Sequence, residues 1–156
     1  MAGLPPYGLR GATTSSFSNK TMVEVVTGRL YLAREDVIGK AEFKANSVVI
    51  DLSASSKVAA AAQHDGAIYL RWNIGDDVEE RQFEALVRFA AGMMKSPRQC
   101  VLLVGHKDTI DVCAACVLRE YLGCRPEIAI SILREARPKC LNKPDLVETV
   151  CNYKIS

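Results

Sequence analysis

The stretch Cys100-Val-Leu-Leu-Val-Gly-His-Lys-Asp-Thr-Ile-Asp-Val-Cys-Ala-Ala-Cys-Val-Leu118 changes its hydrophobic pattern halfway along. Residues 100–104 are an unbroken apolar run, the pattern of a strand buried on both faces. Val112 to Leu118 is again apolar, now on all sides of a helix, as expected where other elements enclose it. A buried strand that passes through a polar turn into a buried helix is the βα unit of a largely parallel sheet.

The flanking sequence extends the alternation. Met22 to Val26 reads as a β-run, Thr27-Gly28 as a turn and Arg29 to Ala33 as a second strand, together a hairpin. A short polar helix is expected around Glu35 to Phe43. Ser47 to Leu52 and Ala67 to Arg71 read as further buried strands. After Asp77, the residues Phe83, Leu86, Val87, Ala90 and Met94 recur at helical spacing, with Arg81, Glu84 and Arg88 on the opposite face. Asp77 and Glu80 have the spacing of a capping box. Pro126 and Pro144 suit first helical turns and open two more helices. Their expected inward faces are Ile128, Ala129 and Ile132 in one, and Leu146, Val147 and Val150 in the other. The result is a three-layer α/β domain over residues 21–156, with a central, mostly parallel sheet flanked by helices.

Residues 1–20 carry no period and are rich in Gly, Pro, Ser and Thr, which describes an extended arm. Leu4, Tyr7, Arg10 and Phe17 are its candidate contact residues.

Composition narrows the function. The 156 residues are 49% hydrophobic and 24% charged, ordinary for one globular domain. A net charge of +2 is too small for a dedicated nucleic-acid binder. No apolar stretch is long enough to cross a bilayer, and no signal peptide is visible. The six cysteines lack metal-finger spacing and mostly sit in apolar segments, the usage of reduced thiols in a cytoplasmic protein. Neither a metal nor a cofactor is expected. Cys113-Ala-Ala-Cys116 has the spacing of a redox pair, but its apolar flanks favour core packing. His64, in Gln-His-Asp-Gly, reads as a solvated loop residue. Arg134, Arg137, Lys139 and Lys143 form a loosely basic region, by default a solvated face and otherwise a contact for an acidic protein surface.

Several strings, taken in order, resemble the dual-specificity branch of the protein tyrosine phosphatases. "GRLYLA" at 28–33 resembles the family's opening strand pair, and "SVVIDLSA" the next strand. "IYLRWNIGDD" at 68–77 is similar to the strand and loop carrying the general acid, which places Asp76 at that position. "CVLLV" resembles the strand that feeds the catalytic loop, and "REYLGCRPEIAISILREARP" at 119–138, then Asn142, the C-terminal helices. The family writes His-Cys-x-x-Gly-x-x-Arg-Ser/Thr after that strand. Backbone N–H groups cradle a phosphate, a thiolate attacks it, and the Arg grips it with two prongs.

Against that pattern the chain reads Gly105-His-Lys-Asp-Thr-Ile-Asp-Val-Cys113. His106 stands where the nucleophile belongs, Thr109 where the Gly belongs and Val112 where the Arg belongs. Cys113 takes the hydroxyl position. Losing a two-pronged Arg forfeits more than one charge-assisted hydrogen bond of about 1.5–3 kcal/mol. Asp108 and Asp111 add negative charge, with Lys107 to offset it, and repulsion at about 4 Å costs roughly 4 kcal/mol at an intermediate dielectric.

The resemblance with these departures implies a chain that is not an enzyme, with Asp76 a vestigial acid. The expected role is a structural or scaffolding protein-binding module in a larger assembly, with Lys107, Asp108 and the arm as contacts. A cytoskeletal lattice with tubulin, such as the ciliary doublet microtubule, is one candidate setting by family analogy. Two other readings remain: a regulatory pseudophosphatase that binds phosphoproteins, and an enzyme of altered chemistry using His106.

Overall fold

The computed structural model describes residues 22–34, 47–53, 58–60, 62, 66–72, 80–97 and 99–156. The arm, the helix expected over 35–43, His64, Asp76 and the Asp77 cap lie outside the described residues.

Strands β1 (Met22–Val26) and β2 (Leu30–Arg34) form the expected antiparallel hairpin. Gly28 takes the left-handed conformation the turn requires, at φ +70°, and its N–H donates to Glu24 Oε2 at 3.1 Å. Among the described residues, β3 (Ser47–Asp51), β4 (Ile68–Arg71) and β5 (Cys100–Gly105) complete a five-stranded sheet of order β1-β2-β5-β3-β4, in which β4, expected to be buried, is an edge strand with Ile68 45% exposed. Every pairing beyond the hairpin is parallel. Strand β5 lies centrally and is buried at all six positions, which is why its sequence is apolar without alternation. Its residues still divide by parity. Val101 and Leu103 join one hydrophobic cluster, while Cys100, Leu102 and Val104 join another across the sheet.

The larger cluster is covered by α1 (Glu80–Met94) and α2 (Lys107–Leu122), and is closed by α3 (Pro126–Ala136) and α4 (Pro144–Asn152). The smaller is covered by Val58 and Ala62, which are helical. The architecture is thus a mixed sheet flanked by helices, the α/β class expected from the sequence.

Helix α2 is buried without interruption from Ile110 to Arg119, and it packs on α1, α3, α4 and the sheet. Both prolines sit in first turns, as expected. The expected inward face of α3 needs correction: Ile128 is 50% exposed, and the buried stripe is Ala129, Ile130 and Leu133. That stripe follows the i, i+1, i+4 pattern, which turns Ile128 about 100° away from its neighbour Ala129.

One buried cation holds the C-terminal region. Arg119 donates from Nε to the Cys124 carbonyl at 3.2 Å, and from Nη1 to the carbonyls of Val150, at 3.0 Å, and Tyr153. These acceptors lie at the C-terminal ends of α2 and α4, where carbonyls lack helical partners and the dipole is negative. Tyr153 Oη donates to Glu120 Oε1 at 2.8 Å, and Ser156 Oγ donates to the same carboxylate at 2.7 Å.

Candidate functional site

Strand β5 delivers the chain to Gly105, where the backbone passes close to β3 and α2. A Cβ there would meet Leu52 Cβ at 3.1 Å and Ile110 Cγ2 at 3.3 Å. His106 is extended (φ −66°, ψ 143°) and caps α2, its Nδ1 accepting the Asp108 N–H at 3.3 Å. That contact occupies Nδ1, so in the neutral ring the proton is on Nε2.

The helix begins at the next residue, Lys107. The run compared above with a phosphate-cradling loop is therefore one capping residue and two helical turns. The physical reason lies in its composition. No glycine or proline interrupts residues 106–113, and Asp108 falls in the first turn, where the helix dipole favours an acid.

The residues at the motif positions do not converge. His106 is exposed, Lys107, Asp108 and Thr109 are half-buried, and Val112 and Cys113 face the core. Burial pushes the Cys113 thiol far up and the Cys116 thiol to about 12, which keeps both protonated at neutral pH. They are packing residues, as their apolar flanks indicated.

The two acids behave differently from the expectation that Lys107 alone offsets them. Asp108 Oδ2 receives the Lys143 Nζ at 3.0 Å, and that hydrogen bond holds its carboxyl below the usual range. Asp111 is completely buried and lies 3.3 Å from Arg137 Nε. Each acid thus has its own cation, supplied by the connection from α3 to α4.

That connection forms the far wall of a cleft of about 330 Å³, lined by Lys107, Arg137, Pro138, Lys139 and Cys140. Leu141, fully buried, adopts φ +54°, a left-handed backbone that a bulky residue rarely takes. Arg134 braces it there, donating to the carbonyls of Cys140 at 3.4 Å and Leu141 at 2.9 Å. Lys107, Arg137, Lys139 and Lys143 against Asp108 and Asp111 leave the mouth of the cleft with an excess of positive charge. A larger hollow of about 500 Å³ lies on α3 between Glu127, Ile130, Ser131, Arg134 and Glu135. It gathers no such positive excess, because Glu127 and Glu135 line it together with Arg134.

Along the sequence, Arg134, Arg137, Lys139 and Lys143 stand out as basic, but nothing in their spacing joins them to Lys107, some thirty residues earlier. The contribution of Leu141 carries no sequence signal. Asp76, Leu4, Tyr7, Arg10 and Phe17 cannot be placed, being outside the described residues. Among the described residues no group of three or more His, Cys, Asp or Glu stands close enough to hold a metal. Nor is any described helix long and apolar enough to cross a membrane.

No protein-family model matches the sequence, and no curated protein sequence matches it significantly. Solved structures do. Tk-PTP in its active form superposes with a TM-score of 0.63 at 15% identity, over 83% of this chain and 93% of that one. A putative protein tyrosine phosphatase from Leishmania major gives 0.60 at 12% identity, over 90% and 99%. Human DUSP28 gives 0.58 at 18% identity, over 83% and 89%. These matches correct one expectation from the sequence, that the chain is not an enzyme. The structures it superposes on are phosphatases, one solved in its active form, so the architecture is one that houses catalysis. The substitutions at 105–113 bear on a single kind of nucleophile and do not decide activity as a whole. At such identities the shared property is the architecture. This chain has the fold of the protein tyrosine and dual-specificity phosphatases.

Proposed function

We propose that this phosphatase-like domain is a protein-recognition module, and that its cleft at the start of α2 holds an acidic segment of a partner within a larger assembly. The observation that carries this reading is the pairing of both local acids with cations of the opposite wall, Asp108 with Lys143 and Asp111 with Arg137. Lys107 and Lys139 line the same cleft without an ion pair among the described residues. An anionic side chain entering between them meets two ammonium groups, a guanidinium and the N-terminal end of a sixteen-residue helix. Carboxylate-rich and phosphorylated segments share this chemistry. The acidic surface of tubulin belongs to the same class, which keeps a cytoskeletal setting within the proposal.

The test is fluorescence anisotropy on the full chain with three labelled peptides: a glutamate-rich segment, a phosphoserine peptide, and an uncharged control. Binding of either acidic peptide, lost at least tenfold in K107E/K139E and weakened by salt, is the expected result. Equal binding of all three, or no effect of the double substitution, overturns the reading.

A further inference from the structure

We infer that Asp111 and an incoming anion compete for the guanidinium of Arg137, so that filling the cleft transfers one proton from solvent to Asp111. This rests on the cleft reading above and concerns how the same site is regulated.

The starting observation is an anomaly among buried carboxylates. Asp51, also fully buried, accepts from the backbone N–H and Oγ of Ser53 and from Tyr69 Oη. Asp111 is as deeply buried, yet neither of its oxygens has a hydrogen-bond partner among the described residues. It has charge attraction to Arg137 at 3.3 Å, in a geometry that makes no hydrogen bond. A buried carboxylate so poorly satisfied is costly in its charged form.

Arg137 has a different environment. Its side chain is 16% exposed and lines the cleft wall, so it links the buried acid to the ligand space. Two anions sharing one guanidinium weaken each other's hold on it. When the external anion engages Arg137, Asp111 loses its compensating charge and the neutral acid becomes the favoured form. Written as a balance, the anion and one proton enter together and no covalent bond changes.

The charges acting on Asp111 agree with this. From its own helix and cap it faces His106, Lys107 and Asp108, and from the α3–α4 connection Arg137 and Cys140. Burial dominates and pushes its carboxyl up to about 6, with Arg137 the largest opposing influence. Taking Arg137 away moves it further up. The sign follows. Above pH 6 the free protein holds Asp111 charged and the filled cleft holds it neutral, so binding takes up a proton and tightens as pH falls. Below pH 6 the acid is already neutral and the dependence flattens.

The test uses sulfate, which stays doubly charged across this range, titrated calorimetrically into the full chain between about pH 8 and pH 5.5. The wild type is expected to bind about tenfold tighter per unit fall in pH down to roughly pH 6, the slope of one proton. Calorimetry in two buffers of different ionisation enthalpy should show an uptake approaching one proton at about pH 7.5. D111N removes the competing charge while keeping the shape; it is expected to bind at about pH 8 as the wild type does near pH 6, without the slope. Equal slopes in the two proteins, or no proton uptake by the wild type, overturns the inference alone and leaves the cleft reading standing. No sulfate binding by either protein at any pH overturns both.

Discussion

Replacing Arg119 with methionine keeps most of the apolar stem and removes the guanidinium that ties α4 to α2. The side chain belongs to a residue only 9% exposed and reaches three carbonyls, those of Cys124, Val150 and Tyr153. A hydrogen bond to a charged donor contributes about 1.5–3 kcal/mol, but one cation serving three acceptors gives less than the sum. The carbonyls nearest the C-terminus regain water once the segment loosens. A loss of about 3–5 kcal/mol results, since an unpaired buried carbonyl costs about 1–3 kcal/mol and not all three regain water. At about 2–4 °C per kcal/mol for a domain of this size, Tm falls by roughly 10 °C. Thermal unfolding followed by circular dichroism measures it. Hydrogen exchange locates it, because amides of residues 150–156 should lose protection before those of β5. R119K should fall between, since one ammonium cannot span three acceptors. A Tm within about 2 °C of wild type, with unchanged exchange in the last helix, would refute the account of Arg119 as the clasp. The site depends on this clasp through position: α4 begins beside Lys143, whose ammonium pairs with Asp108.

Two further outcomes test the core beneath the site. G105A places a methyl group against Leu52 and Ile110 at contacts of 3.1 and 3.3 Å, and should lower stability by about 1–3 kcal/mol in urea unfolding, whereas unchanged stability would mean the strand–helix junction is looser than described. Alkylation of the native protein followed by mass spectrometry should modify exposed Cys151 first and half-buried Cys124 more slowly, and rapid labelling of buried Cys113 or Cys116 would contradict their packing in α2.

The order and type of the elements were legible in the chain before any fold was known, because each is written in short-range periodicity. The strongly apolar run at 47–52, which holds Ser47 and Asp51, and the unbroken apolar run at 100–104 read as buried strands, and they are β3 and β5. Pro126 and Pro144 mark helix starts because a first turn has no use for their missing N–H. Even the face of α1 was legible, since a helix against a sheet repeats its contacts every 3.6 residues. The site was not legible in this way and emerges from packing alone. Family likeness drew attention to 105–113 as a loop, whereas the absence of glycine beyond Gly105 lets α2 begin one residue after His106. The partners of Asp108 and Asp111 come from residues 137–143, which α3 carries back to the start of α2. Charge counted along the chain made these acids an obstacle to an anion. Arranged in space they are neutralised by Lys143 and Arg137, because electrostatic energy depends on separation through the fold and not on separation in sequence. The exposure of Ile128 and the left-handed backbone of Leu141 were settled the same way, by which surface α3 turns toward α2 and by the two carbonyls Arg134 holds.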